Sequence, residues 1–154
     1  QGWTRDIQHG GDDGYAKMRL LMSYLMSVPG IPCVYYGDEI ADVGGNDPDN
    51  RRMMRFDNLN DEEMRTKQWT ADWANLRRSR MSMLYGTTTF EIVDENVLHV
   101  RRTYLNEVTD LYLNRDSQPH AMPSDHTAKS TLAGMLSTEG ALPAFGAVAF
   151  GTTL

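Results

Sequence analysis

The sequence is short of most features that assign a protein to a class at sight. Among its 154 residues there is one cysteine, Cys33, which excludes an internal disulfide and a thiolate metal cluster. No run of apolar residues is long enough to span a bilayer. Positive charge is scarce: 15 Lys and Arg stand against 21 Asp and Glu, for a net charge of −6 and a pI near 5.1. That balance argues against nucleic acid and against an anionic membrane as partners, and suits a neutral or cationic ligand. Internal repeats and low-complexity stretches are missing. The opening residues, Gln1-Gly2-Trp3-Thr4-Arg5-Asp6, carry neither a start methionine nor a signal-peptide pattern, and the chain reads as a piece of a longer protein. Its hydrophobic content of 40% is adequate for a core, in one ordinary domain or two small ones.

What is present centres on Gly30 to Arg52, GIPCVYYGDEIADVGGNDPDNRR. It opens with an apolar run, Cys33-Val34-Tyr35-Tyr36, framed by Pro29-Gly30, Pro32 and Gly37. Continuous β-branched and aromatic runs describe strands buried on both faces of a parallel sheet, so the run is expected as a strand and Cys33 as an inert buried thiol. A long polar loop follows, with Gly44-Gly45, Pro48 and the carboxylates Asp38, Glu39, Asp47 and Asp49. Loops of this length in a compact domain are usually functional or disordered, and a loop leaving the C-terminal end of a parallel strand faces the ligand side. Asp38 to Arg52 is therefore where chemistry is expected.

The flanks give the organisation. His9-Gly10-Gly11 is loop material, and Asp12 or Asp13 can cap a helix. The spacing of Tyr15, Met18, Leu21, Met22 and Leu25 predicts one buried stripe, ended by Pro29-Gly30. Asp61-Glu62-Glu63 suits a second helix start, running to about Tyr85 in one or two pieces, with Trp69, Trp73, Leu76 and Arg80 on one face and Gly86 as its stop. Arg77-Arg78-Ser79-Arg80 reads as a solvated face near the helix C-terminus, not as a phosphate patch. After Gly86, Thr87–Val93, Val97–Tyr104 and Val108–Leu113 are β-branched runs joined by short polar connections, an antiparallel meander. Asn114–His126 reads as a loop, and Thr127–Leu136 and Ala144–Thr152 as further strands. A helix and one parallel-type strand thus precede an antiparallel half. A lone parallel strand cannot satisfy its own backbone groups.

GIPCVYYGDE followed by GGNDPDNRR resembles the end of the catalytic barrel in the α-amylase family of glycoside hydrolases, and the flanks agree along essentially the whole chain. The full loop is most similar to cyclomaltodextrinases, neopullulanases and related α-amylases. The fold this implies is α+β: residues 1–86 as the last strand and helices of a (β/α)8 barrel, and residues 87–154 as a C-terminal antiparallel β-sandwich. The function it implies for the parent is a retaining hydrolase of α-1,4 (with α-1,6 left open) glucosidic linkages in starch-type oligosaccharides. Its mechanism would run through a covalent glycosyl-enzyme formed by an Asp with a Glu as acid/base. A transglycosidase and a non-catalytic carbohydrate-binding or scaffold protein of the same fold are the alternatives.

By the same resemblance, Asp47 and Arg51 bind a sugar in a non-reducing-side subsite. A carboxylate and a forked guanidinium match adjacent sugar hydroxyls. An Asp47–Arg51 ion pair that braces the loop is the other reading, and the two roles are compatible. Arg52 departs from some relatives and is assigned nothing. Asp38 and Glu39 are adjacent and point apart in an extended segment, so they are expected to brace the strand end and not to act as a glycosidase pair, whose members face each other across a bond. The resemblance places the cutting carboxylates on earlier strands, so no catalytic residue is assigned here and the chain alone is expected to be inactive. No metal is assigned: counted from Asp47, the EF-hand pattern fails at Arg52 and Asn58. No cofactor is expected. His9, His99, His120 and His126 have no telling spacing. Tyr35, Tyr36, Trp69 and Trp73 can stack on sugar faces, but at barrel-strand and helix-stripe positions they are expected in the core, as are the ten methionines. The chain by itself should self-associate, or leave its first thirty or so residues disordered.

Overall fold

The computed structural model describes residues 12–45, 47–123 and 130–153; His9, Gly10, Gly11, Asn46, His126 and residues 127–129, which figure in the sequence reading, lie outside them. Helix α1, Asp12–Ser27, is rich in Leu, Met, Lys and Arg, all good helix formers, and it stops before Pro29. Its buried face is turned from the predicted stripe. Tyr15, Met22 and Met26 are buried together with Ser23 and Ser27, while Leu21 is exposed. The serines can sit inside because each hydroxyl donates to a carbonyl one turn back, Ser23 to Arg19 at 2.9 Å and Ser27 to Ser23 at 2.6 Å. Against that small-residue face packs α2, Asp61–Ser79. The Trp69 indole Nε1–H donates to Ser23 Oγ at 2.8 Å.

Helix α2 starts on a capping box. The Glu63 N–H donates to Asn60 Oδ1 at 2.9 Å, and the Asn60 N–H to Glu63 Oε2 at 2.8 Å. After Arg80 a short α3, Met81–Tyr85, completes the helical layer, so the expected helix does come in two pieces. The basic cluster is not a solvated face. Arg77 is buried and its guanidinium donates to the carbonyls of Met26, Val28 and Gly30 at 2.6, 2.8 and 2.6 Å. Arg80 reaches into the sheet, donating to Thr109 Oγ1 at 2.7 Å and the Val108 carbonyl at 3.0 Å. Of the three arginines only Arg78 is exposed. Free carbonyls at the end of α1 and beside the sheet need donors, and a long guanidinium stem supplies them from a distance that charge patterning along one helix does not reveal.

The sheet comprises β1 Thr87–Ile92, β2 Val97–Tyr104, β3 Glu107–Asn114, β4 Ser130–Gly134 and β5 Ala147–Thr153. It is antiparallel throughout, in the order β1-β2-β3-β5-β4, and the predicted meander is its first three strands. Alternation divides it cleanly. Val100, Leu111, Leu113, Ala147 and Ala149 meet Met26, Trp73, Leu76 and Met83 of the helices. On the far face Val97, Tyr112, Val148 and Phe150 form a second cluster with Leu142. Among the described residues the second layer of the expected sandwich is not a second sheet. It is formed by the connection after β3 and the connection between β4 and β5, which contribute Met122, Leu136 and Leu142 and are joined by an isolated antiparallel bridge between His120 and Leu142.

The expected strand Cys33–Tyr36 is not formed: residues 31–35 have no regular secondary structure, a turn begins at Tyr36, and among the described residues no strand pairs with them. Val34 packs against the helix–sheet core. Cys33, expected buried, is exposed, and so are Tyr35 and Tyr36, with Ile31 at 97% exposure. A run composed for burial on both faces here has cover on one.

Candidate functional site

The loop beyond Tyr36 is built by its own carboxylates. Gly37 has φ 93°, which glycine alone adopts without strain, and its N–H donates to Glu39 Oε2 at 2.9 Å. Asp38 Oδ2 accepts from the Tyr35 N–H at 3.3 Å. A single 3-10 turn, Asp38–Ile40, then plants the fully buried Ile40 against α2. Both carboxylates brace the bend, as expected. Burial raises the Asp38 carboxyl above its ordinary value, with the Tyr35 N–H pulling the other way.

The second limb closes back on the first. Gly44 has no room for a side chain: a Cβ there would lie 2.9 Å from Asn50 Cα. The Gly45 N–H donates to Asp49 Oδ2 at 2.8 Å. Arg52 forks onto the same carboxylate, Nε to Oδ1 at 2.8 Å and Nη2 to Oδ2 at 2.9 Å. Asp42 faces Arg55 at 3.5 Å, and Arg55 also pairs with Glu63 at the start of α2. The Arg55 guanidinium is thereby raised above its ordinary value, chiefly by its hydrogen bond to Glu63.

Between the limbs lies a cavity of about 340 Å³, lined by Tyr35, Tyr36, Asp38, Asp42, Asp49 and Arg52 among others. Its volume is within the range of small-ligand sites, and its lining offers two exposed rings beside acceptors and a guanidinium. The Tyr35 and Tyr36 rings, 4.5 Å apart, belong to this cavity and not to the core as expected; Trp73 does belong to the core, at 0% exposure, with Trp69 packed against it. Asp47 and Arg51 lie on the outer part of the same loop. They face each other at 3.2 Å, with side chains 68% and 60% exposed. The loop-bracing ion pair is thus present, exposed enough to leave hydrogen-bonding capacity on both partners. Arg51 rides on a one-turn 3-10 helix, Asp49–Arg51, and its charge bears on the Tyr36 phenol, which a hydrogen bond with Tyr35 holds above its ordinary value. A larger groove of about 670 Å³ between α2 and β4 is lined by none of the residues singled out in this loop.

Sequence spacing missed Asp49 and Arg52, although an Asp followed three residues later by Arg on a turn is a legible pairing signal. It also missed two histidines. His120 sits between Asp94 at 2.9 Å and Asp116 at 3.0 Å. His99 lies between Glu91 at 3.2 Å and Asp110 at 2.7 Å, stacked on Tyr112. The partners are 4 to 26 residues distant in sequence; the pairing of β1, β2 and β3 gathers those of His99, and those of His120 come from the β1–β2 connection and the loop after β3. Among the described residues no group of three or more His, Cys, Asp or Glu side chains is arranged so as to hold a metal ion.

The fold superposes on part of solved α-amylase family enzymes. An α-amylase from Anoxybacillus superposes with a TM-score of 0.74 and 29% identity over 91% of this chain and 33% of that one. A cyclomaltodextrinase from Geobacillus thermopakistaniensis is 34% identical over 119 residues, 74% of this chain and 19% of the relative. A cyclomaltodextrin glucanotransferase from Paenibacillus macerans is 34% identical over 108 residues, 70% and 15%. No family model matches the chain. The matches to cyclomaltodextrinases, cyclomaltodextrin glucanotransferases and solved amylases identify the chain as similar to the C-terminal region of the α-amylase family. The chain spans about a fifth or less of the length of these curated relatives.

Proposed function

We propose that this chain is the C-terminal portion of a retaining enzyme of α-glucan metabolism. Residues 1–86 supply the end of its (β/α)8 barrel and residues 87–154 its all-β domain. Asp47 and Arg51 grip a sugar unit of the substrate, and the cavity beside them takes the adjoining unit against Tyr35 and Tyr36. The observation that carries this reading is the exposed Asp47–Arg51 pair on a loop stapled shut beneath it. It presents a carboxylate and a guanidinium together, next to two aromatic rings, in a chain whose relatives are named for acting on cyclomaltodextrins. The carboxylates that cut belong to other strands of the parent, so the chain alone releases no reducing sugar from maltooligosaccharides. Hydrolysis of α-1,4 linkages is the first reading for the parent. Glucosyl transfer is the second, favoured by the relatives named as glucanotransferases. The unpaired Ile31–Tyr35 segment and the exposed Met53 and Phe56 support burial of this face against the rest of the parent, and self-association of the chain without it.

The test is a titration of the chain with maltotriose, followed by backbone amide shifts. Shifts confined to Tyr35–Arg52, and weakened about tenfold in Asp47→Ala and Arg51→Ala, are expected. Uniform or missing shifts at saturating sugar overturn the reading.

A further inference from the structure

The loop holds two carboxylate–guanidinium pairs in register, and they differ in kind. The outer pair, Asp47–Arg51, is open to solvent on both sides, whereas the Asp49 side chain is only 16% exposed. Asp49 Oδ2 accepts from Gly45 on the incoming limb, and both oxygens accept from Arg52 on the outgoing limb. Arg51 is the last residue of the turn that Asp49 begins, its N–H bonded to the Pro48 carbonyl at 3.1 Å. Gly44 lies against the backbone of Asn50 so closely that no side chain fits between them. Among the described residues, the Asp49 carboxylate thus ties the incoming limb at Gly45 to the outgoing limb at Arg52, on either side of Asp47 and Arg51. A bidentate fork also fixes a plane as well as a distance. It commits Arg52 to the inner carboxylate and leaves Arg51 as the guanidinium that faces Asp47.

We infer that Asp49 and Arg52 are positioning residues for the sugar grip: their forked pair, at the wall of the cavity, sets the direction in which Asp47 and Arg51 present their polar atoms. The inference rests on the sugar-binding reading proposed above, and it adds two residues to which that reading gave no role. A preorganised first contact held by a second pair keeps the outer side chains in one geometry before ligand arrives, which lowers the ordering cost on binding.

The experiment has two arms on the 154-residue chain. Without sugar, the side-chain Nε–H resonance of Arg51 and the amides of residues 47–51 are compared between wild type and Asp49→Asn, which keeps the shape and removes the charge. The inference expects these signals to move while the amides of β2, β3 and α2 stay in place, so the fold is monitored in the same spectrum. With maltotetraose, Asp49→Asn and Arg52→Lys are expected to weaken binding about tenfold. The double variant Asp49→Asn/Arg52→Gln, a neutral amide pair that can still hydrogen-bond, is expected to recover at least half of the lost affinity on a logarithmic scale. If Arg51→Gln weakens binding and Asp49→Asn does not, the positioning role is overturned and the sugar reading stands. If wild type shows no response to sugar, the sugar reading falls, and the sugar-free arm still decides the geometry: an Arg51 resonance unmoved by Asp49→Asn refutes the positioning claim independently.

Discussion

Replacing Arg77 by methionine should cost the chain a large part of its stability. The guanidinium is buried and donates to three carbonyls, those of Met26, Val28 and Gly30, at the point where α1 ends and the Ile31–Tyr35 segment begins. Methionine fills much of the same volume and offers no donor, so three acceptors would be left with no protein partner. Hydrogen bonds from a charged donor contribute about 1.5–3 kcal/mol each. They share one cation, however, whose burial carries its own penalty, seen in the lowering of the Arg77 pKa by desolvation. Breaking one side of a buried charged arrangement costs about 3–5 kcal/mol, and we expect Arg77→Met in that range. Against a total of roughly 5–15 kcal/mol for a domain, and with a urea slope near 2 kcal/mol/M, the unfolding midpoint should fall by about 2 M. Lysine at this position keeps the charge but not the fork and should lie between the two. Urea unfolding followed by far-UV circular dichroism reads all three. If Arg77→Met unfolds within about 1 kcal/mol of wild type, the three carbonyls are satisfied by something else and the account of the α1 terminus is wrong.

Trp73 is fully buried and its indole N–H finds no acceptor among the described residues; Trp73→Ala should cost about 3–5 kcal/mol, whereas Trp73→Phe, which removes the unpaired N–H along with some volume, should stay within about 1 kcal/mol, and equal losses for the two would refute this. His120 is held above its ordinary value, by its hydrogen bond to Asp116 first and to Asp94 second, so the stability it adds is present below about pH 6.5 and is lost as pH rises through its folded value. Asp116 and Asp94 are lowered in turn, Asp116 first by His120 and Asp94 first by the Asn96 N–H, so their contribution is present above about pH 4 and fades on acidification; thermal unfolding from pH 3 to 9 should lose its alkaline limb in His120→Gln, and parallel curves for the two proteins would contradict the assignment. The exposed Asp47–Arg51 pair should show a coupling of no more than about 0.5 kcal/mol in a double-mutant cycle of stability, which separates its binding role from any structural one.

Much of this was legible in the chain because local chemistry and fold agree. Asp61-Glu62-Glu63 marks the start of α2, the β-branched runs after Gly86 read as strands, and Asp38 and Glu39 read as braces at the end of the apolar run. What stayed hidden depends on distance. Arg77 looks like a surface arginine until α1 is laid beside it, and His120 becomes a clamp only when the β1–β2 connection and the loop after β3 are brought together. The buried stripe of α1 was displaced because Ser23 and Ser27, polar by letter, satisfy their hydroxyls within the helix and so can line a contact. Cys33 and Tyr35 have the composition of a doubly covered strand, and composition does not say whether the covering elements are at hand. In the loop, the family resemblance pointed to Asp47 and Arg51, and the hydrogen bonds that fix them run through Asp49 and Arg52 instead.

The most direct test of the central claim is a crystal structure of the chain grown with maltotriose. The account predicts a glucosyl unit with hydroxyl oxygens within hydrogen-bonding distance of both the Asp47 carboxylate and the Arg51 guanidinium, and a neighbouring ring over Tyr35 or Tyr36. A sugar bound only in the groove between α2 and β4, with Asp47 and Arg51 still facing each other alone, would contradict it.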